Sequence, residues 1–156
     1  CSSDLESVAQ NNMINVQVNT QIDEHSEVKS EAQNLTVKGN ANLLYRALYN
    51  LIENAIRYNN EEGSVNITLE TRGQEGVIII ADTGVGIAPE QRELVFEPFY
   101  TVNKSRSREF GGAGIGLSLV KTILKRHGAS ITVSENNPQG SVFTIRIPLV
   151  DAIDFD

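Results

Sequence analysis

The stretch Asn50-Leu-Ile-Glu-Asn54-Ala-Ile-Arg57-Tyr58 places apolar residues on one side of a helix and polar residues on the other. Before it, Asn40 stands where a helix N-cap is expected, so we predict a helix over residues 41–58, ended by the polar run 59–63. Apolar residues recur along it at helical spacing, namely Leu44, Leu48, Leu51, Ile52, Ala55 and Ile56.

Shorter segments around this helix alternate apolar and polar residues with the period of a β-strand. Strand patterns lie at residues 14–18, 35–38, 65–69, 77–81, 131–133 and 142–147. The run 77–81 is continuously apolar, which indicates a strand buried on both faces. Glycine-containing segments at 72–76 and 136–140 predict the turns of two hairpins.

A second helix is predicted over residues 115–126, closed by His127 and Gly128. Residues 1–35 are less regular, and there we expect only a short helix at 4–10 and an acidic loop at 23–31 besides the first strand. Helices that alternate with antiparallel hairpins favour an α+β fold. We predict a two-layer α/β sandwich with its helices on one face of a mixed, mostly antiparallel five-stranded sheet.

Composition limits the classes of protein to consider. The 156 residues fit one domain, and the net charge of −7 argues against general nucleic-acid binding, which needs a basic surface. Cys1 is the single cysteine, so no disulfide framework is expected, and a reducing, cytosolic setting is favoured. No apolar run is long enough to span a bilayer, and no signal peptide opens the chain. We expect a soluble, monomeric piece of a larger protein, with a frayed tail at 151–156.

Four polar residues, Asn50, Asn54, Arg57 and Tyr58, share one face of the first predicted helix. Such a stripe is usually a solvated surface. However, asparagine is a mediocre helix former, and its amide oxygen is a hard ligand that suits Mg²⁺. Arg57 is suited to pair with phosphate oxygens.

The segment Asp82-Thr83-Gly84-Val85-Gly86 follows the buried strand, and its glycines allow a tight turn close to a ligand. By itself it is equally well explained as a plain Asp-Gly turn. An ionised carboxylate only accepts hydrogen bonds, so Asp82 suits the exocyclic amine of adenine and repels the carbonyl of guanine. The segment therefore fits adenine recognition.

Two further blocks lie in or beside a long charged segment over residues 89–112, which indicates a functional loop. Gly112-Ala113-Gly114-Ile115-Gly116-Leu117 opens the second helix and offers backbone amides to an anion. Phe96-Glu97-Pro98-Phe99-Tyr100 supplies aromatic anchors or, equally well, a small satellite core. Lys104, Arg106 and Arg108 form a basic cluster in an acidic chain.

Together the four blocks resemble the catalytic domain of two-component sensor histidine kinases of the GHKL superfamily. Residues 50–58 look like the N box, 82–86 like the first glycine box, 96–100 like the F box and 112–116 like the second glycine box. Gly140-Ser141-Val142-Phe143 fits the closing strand motif. The likeness covers about residues 35–148, and residues 1–35 match only loosely.

The resemblance implies ATP and Mg²⁺ as ligands. Asn54 would hold Mg²⁺, with Asn50 beside the same metal–phosphate cluster, and Asp82 would bind the adenine amine. Residues 89–111 would form an ATP lid from which Lys104 or Arg106 reaches the γ-phosphate. The other implied nucleotide-binding residues are Arg57, Tyr58, Gly84, Gly86, Ile87, Tyr100, Gly112, Gly114, Ile115, Gly116 and Leu117.

Three features shape the expected reaction. Many relatives carry arginine after the F box, where this chain has Thr101, and the N-box basic residue, often lysine, is Arg57. Superfamily ATPases carry a glutamate where this chain has Asn50, and an amide cannot act as a general base. Glu53 lies about 100° around the helix from Asn54, so we do not expect it to replace that base. We therefore expect ATP to be held without rapid hydrolysis.

No acceptor histidine is recognisable in the chain. His25 lies in the acidic loop, and His127 follows a predicted helix end, where a cation is mildly favoured, so both are interpreted as structural or surface residues. The resemblance implies transfer of the γ-phosphate to a histidine on a separate dimerisation domain and relay to a response regulator. The parent would be a membrane-bound homodimer with this domain in the cytoplasm. Alternatives are a serine protein kinase or slow ATPase of the superfamily, a docking module, or a plain α/β interaction domain.

Overall fold

The computed structural model describes residues 15–20, 37–100 and 116–149, the first of these by its backbone. Its sheet has the order β1-β2-β3-β5-β4. The strands are β1 (Asn15–Thr20), β2 (Ser64–Arg72), β3 (Glu75–Asp82), β4 (Ser130–Glu135) and β5 (Ser141–Pro148). Strands β2 to β5 pair antiparallel, and β1 joins β2 in parallel. The predicted α+β class with a mixed, mostly antiparallel sheet is confirmed.

Two helices pack against one face of this sheet. Helix α1 (Ala41–Arg57) begins at Asn40, whose Oδ1 accepts the Leu43 N–H at 3.1 Å, and ends at Tyr58. Helix α2 (Gly116–Arg126) is followed by His127 and by Gly128, which has a φ of +68°. Both helices match their predicted positions because their caps and their apolar spacing are local signals.

The core lies between the helices and the inward face of the sheet. Strand register aligns Ile67 with Ile80 and Ile80 with Phe143, so these three side chains share that face. The helices contribute the buried residues Ala47, Leu51, Ile52, Ala55, Ile56, Val120, Ile123 and Leu124. Burial of each large aliphatic side chain stabilises the fold by roughly 1.5–3 kcal/mol.

Three local predictions need correction. Val37 and Lys38 lie outside any strand, so that part of the predicted 35–38 strand is wrong. The β2–β3 turn is only Gly73-Gln74, because the pairing of Arg72 with Glu75 extends both strands beyond their apolar residues. The run 77–81 is buried less evenly than predicted, since Ile79 and Ala81 on the outer face are half-buried. The predicted helix at 4–10 and loop at 23–31 lie outside the described residues.

His127 joins the end of α2 to the start of α1. Its Nδ1 lies 2.7 Å from the Ile123 carbonyl oxygen, and its Nε2 accepts the Asn40 N–H at 3.0 Å. The ring therefore links the two helices through a backbone group at each end. The histidine is structural, as predicted.

A buried polar network ties the end of α1 to the ends of β2 and β3. Asn59, only 5% exposed, donates from Nδ2 to the Ser64 carbonyl at 2.9 Å and accepts from Thr83 Oγ1 at 3.0 Å and from the Asn60 N–H at 2.8 Å. Thr83 Oγ1 also accepts the Ser64 N–H at 2.9 Å. The network fixes where α1 stops relative to the residues that follow β3.

Replacing Asn59 with alanine should destabilise the fold by about 1–3 kcal/mol, because part-buried hydrogen bonds to Ser64, Asn60 and Thr83 are lost. Urea unfolding of Asn59→Ala measures the change. The exposed Asn66, on the outer face of β2, offers the matched control Asn66→Ala. An equal, small effect in both variants would show that the network contributes little.

Candidate functional site

A cleft of about 790 Å³ opens between the polar face of α1 and the segments that follow β3 and β4. Its walls are α1, the glycine turn (Asp82–Gly86), the segment from Ile87 to Tyr100, the start of α2, and the hairpin loop (Asn136–Gly140). Residues far apart in the chain therefore meet around one concave surface, which is the usual form of a small-molecule site.

The polar stripe of α1 faces this cleft. Asn50, Asn54, Arg57 and Tyr58 all line it, as predicted from their helical spacing. Glu53, which was not among the predicted site residues, lines it as well. Its Oε1 lies 2.6 Å from Arg57 Nη2, so the two form an ion pair one helical turn apart. The stripe thus presents two amides and a carboxylate–guanidinium pair.

Asp82, at the end of β3, is 7% exposed and lines the cleft. Its Oδ1 accepts the Gly84 N–H at 2.9 Å and the Ser141 N–H at 3.1 Å. Within residues 37–100 and 116–149 no donor reaches the second oxygen, Oδ2. The carboxylate is held through one oxygen, which leaves the other as an acceptor for a ligand.

Burial raises the pKa of Asp82 above its ordinary value of 3.8, because a carboxylate loses its hydration inside the protein. The Gly84 and Ser141 N–H groups oppose this effect by stabilising the charged form. A desolvated carboxylate that accepts hydrogen bonds through only one oxygen is unfavourable. A donor on a ligand would provide a partner for Oδ2.

The glycine turn packs closely against the end of α1. The Val85 N–H donates to the Tyr58 carbonyl at 3.2 Å, and a side chain at Gly84 would collide with that same carbonyl. Gly84 is therefore buried beneath the cleft and is not among its lining residues. Gly86 has a φ of +77° and lines the cleft. The sequence identified both glycines but not their separate roles.

The hairpin loop forms a wall that the sequence analysis did not assign to the site. Asn136 Nδ2 donates to the Asp82 carbonyl at 2.8 Å, and the Asn136 N–H donates to the Gly140 carbonyl at 3.0 Å. Gly140 has a φ of +120°, and a side chain there would collide with the Asp82 backbone. A glycine at position 140 is consistent with close approach of another backbone segment, but the sequence does not show that this segment is Asp82.

The aromatic block divides between core and surface. Phe96 is buried and meets Phe143 edge-to-face at 6.3 Å, so it belongs to the main core and not to a satellite. Tyr100 packs against that core and lines the cleft. Phe99, by contrast, is 75% exposed and is not an anchor in this structure. The prediction of three aromatic anchors is therefore wrong for Phe99.

Most of the predicted site residues that are described come together. Those lining the cleft are Asn50, Asn54, Arg57, Tyr58, Asp82, Gly86, Ile87, Tyr100, Gly116 and Leu117. Lys104, Arg106, Gly112, Gly114 and Ile115 lie outside the described residues, as do residues 101–111 of the predicted 89–111 lid. The described part of that segment holds two short 3₁₀ turns, Pro89–Gln91 and Leu94–Phe96. Lining residues not predicted include Glu53, Val85, Gln91, Arg92, Val95, Glu135, Asn136 and Ser141.

Comparison with known families agrees with this arrangement. Residues 39–151 match the family described as histidine kinase-, DNA gyrase B-, and HSP90-like ATPase. The chain belongs to this family. The matched range contains both helices, strands β2 to β5 and all the cleft residues.

The curated relatives that the chain resembles include sensor histidine kinases. It is 41% identical over 149 residues to sensor histidine kinase RppB of Synechocystis, covering 96% of this chain and 32% of that protein. It is 43% identical over 128 residues to sensor-like histidine kinase SenX3 of Mycobacterium bovis, covering 81% and 31% respectively. The chain thus spans about a third of the length of these relatives.

Solved structures show the same fold. The mycobacterial sensor histidine kinase MprB matches with a TM-score of 0.74 at 27% identity, covering 95% of this chain and 91% of that one. The catalytic domain of histidine kinase ThkA matches with a TM-score of 0.75 at 27% identity, covering 94% and 86%. Within the described part of the chain, neither helix is long and apolar enough to cross a bilayer.

The raised pKa of Asp82 predicts a pH-dependent stability difference. The folded state binds the Asp82 proton more tightly than the unfolded chain does, so wild type loses stability as the pH rises from 3.8 through the raised value. Asp82→Asn removes that titration. The stability of this variant relative to wild type should rise across the same window and stay constant above it.

Chemical unfolding of both proteins between pH 3 and pH 8 provides the measurement. Glu75→Gln, an exposed carboxylate on the same strand, is the matched control and should show no such trend. A stability difference between Asp82→Asn and wild type that does not change with pH would contradict the assigned cause.

Proposed function

We propose that the cleft binds Mg-ATP and that the chain donates the γ-phosphate to a histidine on a separate dimerisation domain, for relay to a response regulator. The observation that carries the proposal is that Asp82 and the side-chain amides of Asn50 and Asn54 line the same cleft. Family membership supports an ATPase-type domain, and the named relatives support transfer to histidine.

Asp82 supports recognition of adenine. Its free Oδ2 accepts a hydrogen bond, as the exocyclic amine of adenine requires, and it repels the carbonyl that guanine carries at the same position. Burial makes the discrimination stronger, because a base without a donor at this position leaves Oδ2 of a desolvated carboxylate without a partner. Ile87, Leu117 and Tyr58 line the same cleft and offer apolar surface to the ring.

Asn50 and Asn54 support binding of Mg²⁺ and phosphate. They lie one helical turn apart on α1 and both face the cleft. Mg²⁺ prefers oxygen ligands and keeps several waters, so a single amide oxygen from Asn54 plus phosphate oxygens is a suitable set. When bound, the ion would neutralise charge on the transferring phosphate. Asn50 would bind the same metal–phosphate cluster.

The start of α2 supports the placement of the phosphates. Gly116 and Leu117 line the cleft where α2 begins, and a helix N-terminus favours anions. We assign the lid to residues 89–111 and the γ-phosphate contact to Lys104 or Arg106. Gly112, Gly114 and Ile115 would border the triphosphate, and Tyr100 would close its side of the cleft.

A response regulator is the proposed final recipient. ThkA, whose full structure matches with a TM-score of 0.72 at 26% identity and 38% coverage of that chain, was solved in complex with the response regulator protein TrrA. That assembly supports an equivalent partner for the parent of this chain. We further propose that the parent is a membrane-bound homodimer with this domain in the cytoplasm.

A slow ATPase is the second candidate, and the position of Glu53 favours it. Its carboxylate lines the cleft next to Asn54, where a general base would activate water. Its Oε1 is already engaged by Arg57 Nη2 at 2.6 Å, however, so the carboxylate is not free to orient a water molecule. Phosphotransfer to an external acceptor is therefore favoured over rapid hydrolysis.

Replacing Asp82 with asparagine should weaken ATP binding by about 1.5–3 kcal/mol, the range for a hydrogen bond to a charged group. The amide also presents a donor to the adenine amine in one of its two orientations. Isothermal titration calorimetry with Mg-ATP measures the loss. Glu75→Gln makes the same chemical change outside the cleft and should bind like wild type; equal affinity of Asp82→Asn and wild type would refute the adenine role.

The chain alone should consume Mg-ATP at well below about 1 per second, the lower end of ordinary enzyme turnover. Adding the histidine-bearing domain of a similar sensor kinase should transfer γ-³²P to it in an acid-labile, alkali-stable linkage. Asn54→Ala should abolish transfer, whereas Asn66→Ala, outside the cleft, should not. Acid-stable label would indicate a hydroxyl acceptor, and rapid hydrolysis without an acceptor would favour the ATPase.

A further inference from the structure

Arg92 is a cleft residue that the functions assigned above do not use. It lies between the two short 3₁₀ turns, directly after Pro89–Gln91, and its side chain lines the cleft. Its Nε is buried, and no hydrogen-bond acceptor contacts it in the described part of the chain. No other buried side-chain nitrogen or oxygen of residues 37–100 and 116–149 lacks a partner. Buried donors without acceptors are rare in folded proteins and point to a missing ligand or a functional role.

Arg92 differs from the other cationic residue of the cleft in having no ion-pair partner among the described residues. The described cleft-lining cations are Arg57 and Arg92. Arg57 is engaged by Glu53, whereas no carboxylate of residues 37–100 and 116–149 lies within ion-pair distance of Arg92. The positive charge of Arg92 in the cleft is thus not neutralised by a carboxylate of the described residues.

Neighbouring residues hold Arg92 in place. The Arg92 N–H donates to the Pro89 carbonyl at 3.4 Å, which keeps the backbone in a tight turn. Val95 and Phe96, three and four residues further on, are buried in the core. Arg92 lies between this turn and the anchored residues, and its side chain is directed inward, with Nε buried at the cleft. Its guanidinium is therefore presented from a fixed base and not from a free loop.

We infer that Arg92 is a phosphate-binding residue of the nucleotide site, an assignment that rests on the proposed function. A guanidinium offers a planar set of donors that matches two phosphate oxygens at once. A nucleoside polyphosphate brings several negative charges into the cleft. Arg92 supplies a positive charge to balance them, whereas the charge of Arg57 is already partly balanced by Glu53. A phosphate oxygen of the nucleotide would accept the hydrogen bond that Arg92 donates to no group of the described residues.

Binding of ATP, ADP, AMP and adenosine to wild type, Arg92→Met and Arg92→Lys tests the inference by calorimetry in the presence of Mg²⁺. Arg92→Met keeps the length of the side chain without its charge and should lower the affinity for ATP about tenfold or more, with little effect on adenosine. Arg92→Lys should recover part of the loss, because it restores charge but not the planar fork. Arg146→Gln, at an exposed position on the outer face of β5, is the matched control and should bind as wild type does.

Thermal unfolding without nucleotide separates a ligand-binding role from a structural one. Removing a buried donor that has no partner should leave the melting temperature of Arg92→Met unchanged or raise it, while ATP affinity falls. A lower melting temperature with equal losses for adenosine and ATP would overturn the inference, as would ATP affinity equal to that of wild type. If wild type itself bound no ATP, the proposed function and this inference would both fail; if wild type bound ATP and Arg92→Met bound it equally well, only this inference would fail.

Discussion

One residue, Asp82, connects the glycine turn to a hairpin more than fifty positions away in the chain. Asp82 Oδ1 accepts N–H groups from Gly84, two residues on, and from Ser141, at the start of β5, while the Asp82 carbonyl accepts from Asn136. These bonds hold the glycine turn and the hairpin loop against the end of β3. Gly140 permits the contact, because any side chain there would strike the Asp82 backbone. The cleft exists in its present shape because these segments converge on Asp82.

Two polar atoms of the cleft lack a hydrogen-bond partner among the described residues. Burial raises the pKa of Asp82, and one of its oxygens has no donor among the described residues. Arg92 carries a buried nitrogen without an acceptor. One group lacks a donor and the other an acceptor, so a ligand with an amine at one end and anionic oxygens at the other would complete both. Adenosine polyphosphates have that arrangement. A ligand that lacks either group would leave Asp82 or Arg92 without a partner and would bind more weakly.

Local signals predicted much of this structure, and long-range contacts account for what they missed. The Asn40 cap and the apolar spacing located α1, and Gly128 marked the end of α2, because these signals act within a few residues. Asn136 and Ser141 were missed as site residues because their partner, Asp82, is more than fifty positions away. Glu53 was not assigned to the site, because its angular position on α1 does not show how wide the cleft is. Arg92 gave no signal at all, since an arginine in a charged segment resembles any exposed one.

The central claim is that Asp82 makes the cleft an adenine site. Calorimetric titration of the wild-type chain with ATP and with GTP, both with Mg²⁺ at the same ionic strength, tests this most directly. The two nucleotides carry identical phosphates and sugar, so their difference isolates the base. We predict clear binding of ATP and binding of GTP that is weaker by at least two orders of magnitude, on the scale of sites that read a buried polar contact. Equal affinity for the two nucleotides, or no binding of ATP, would contradict it.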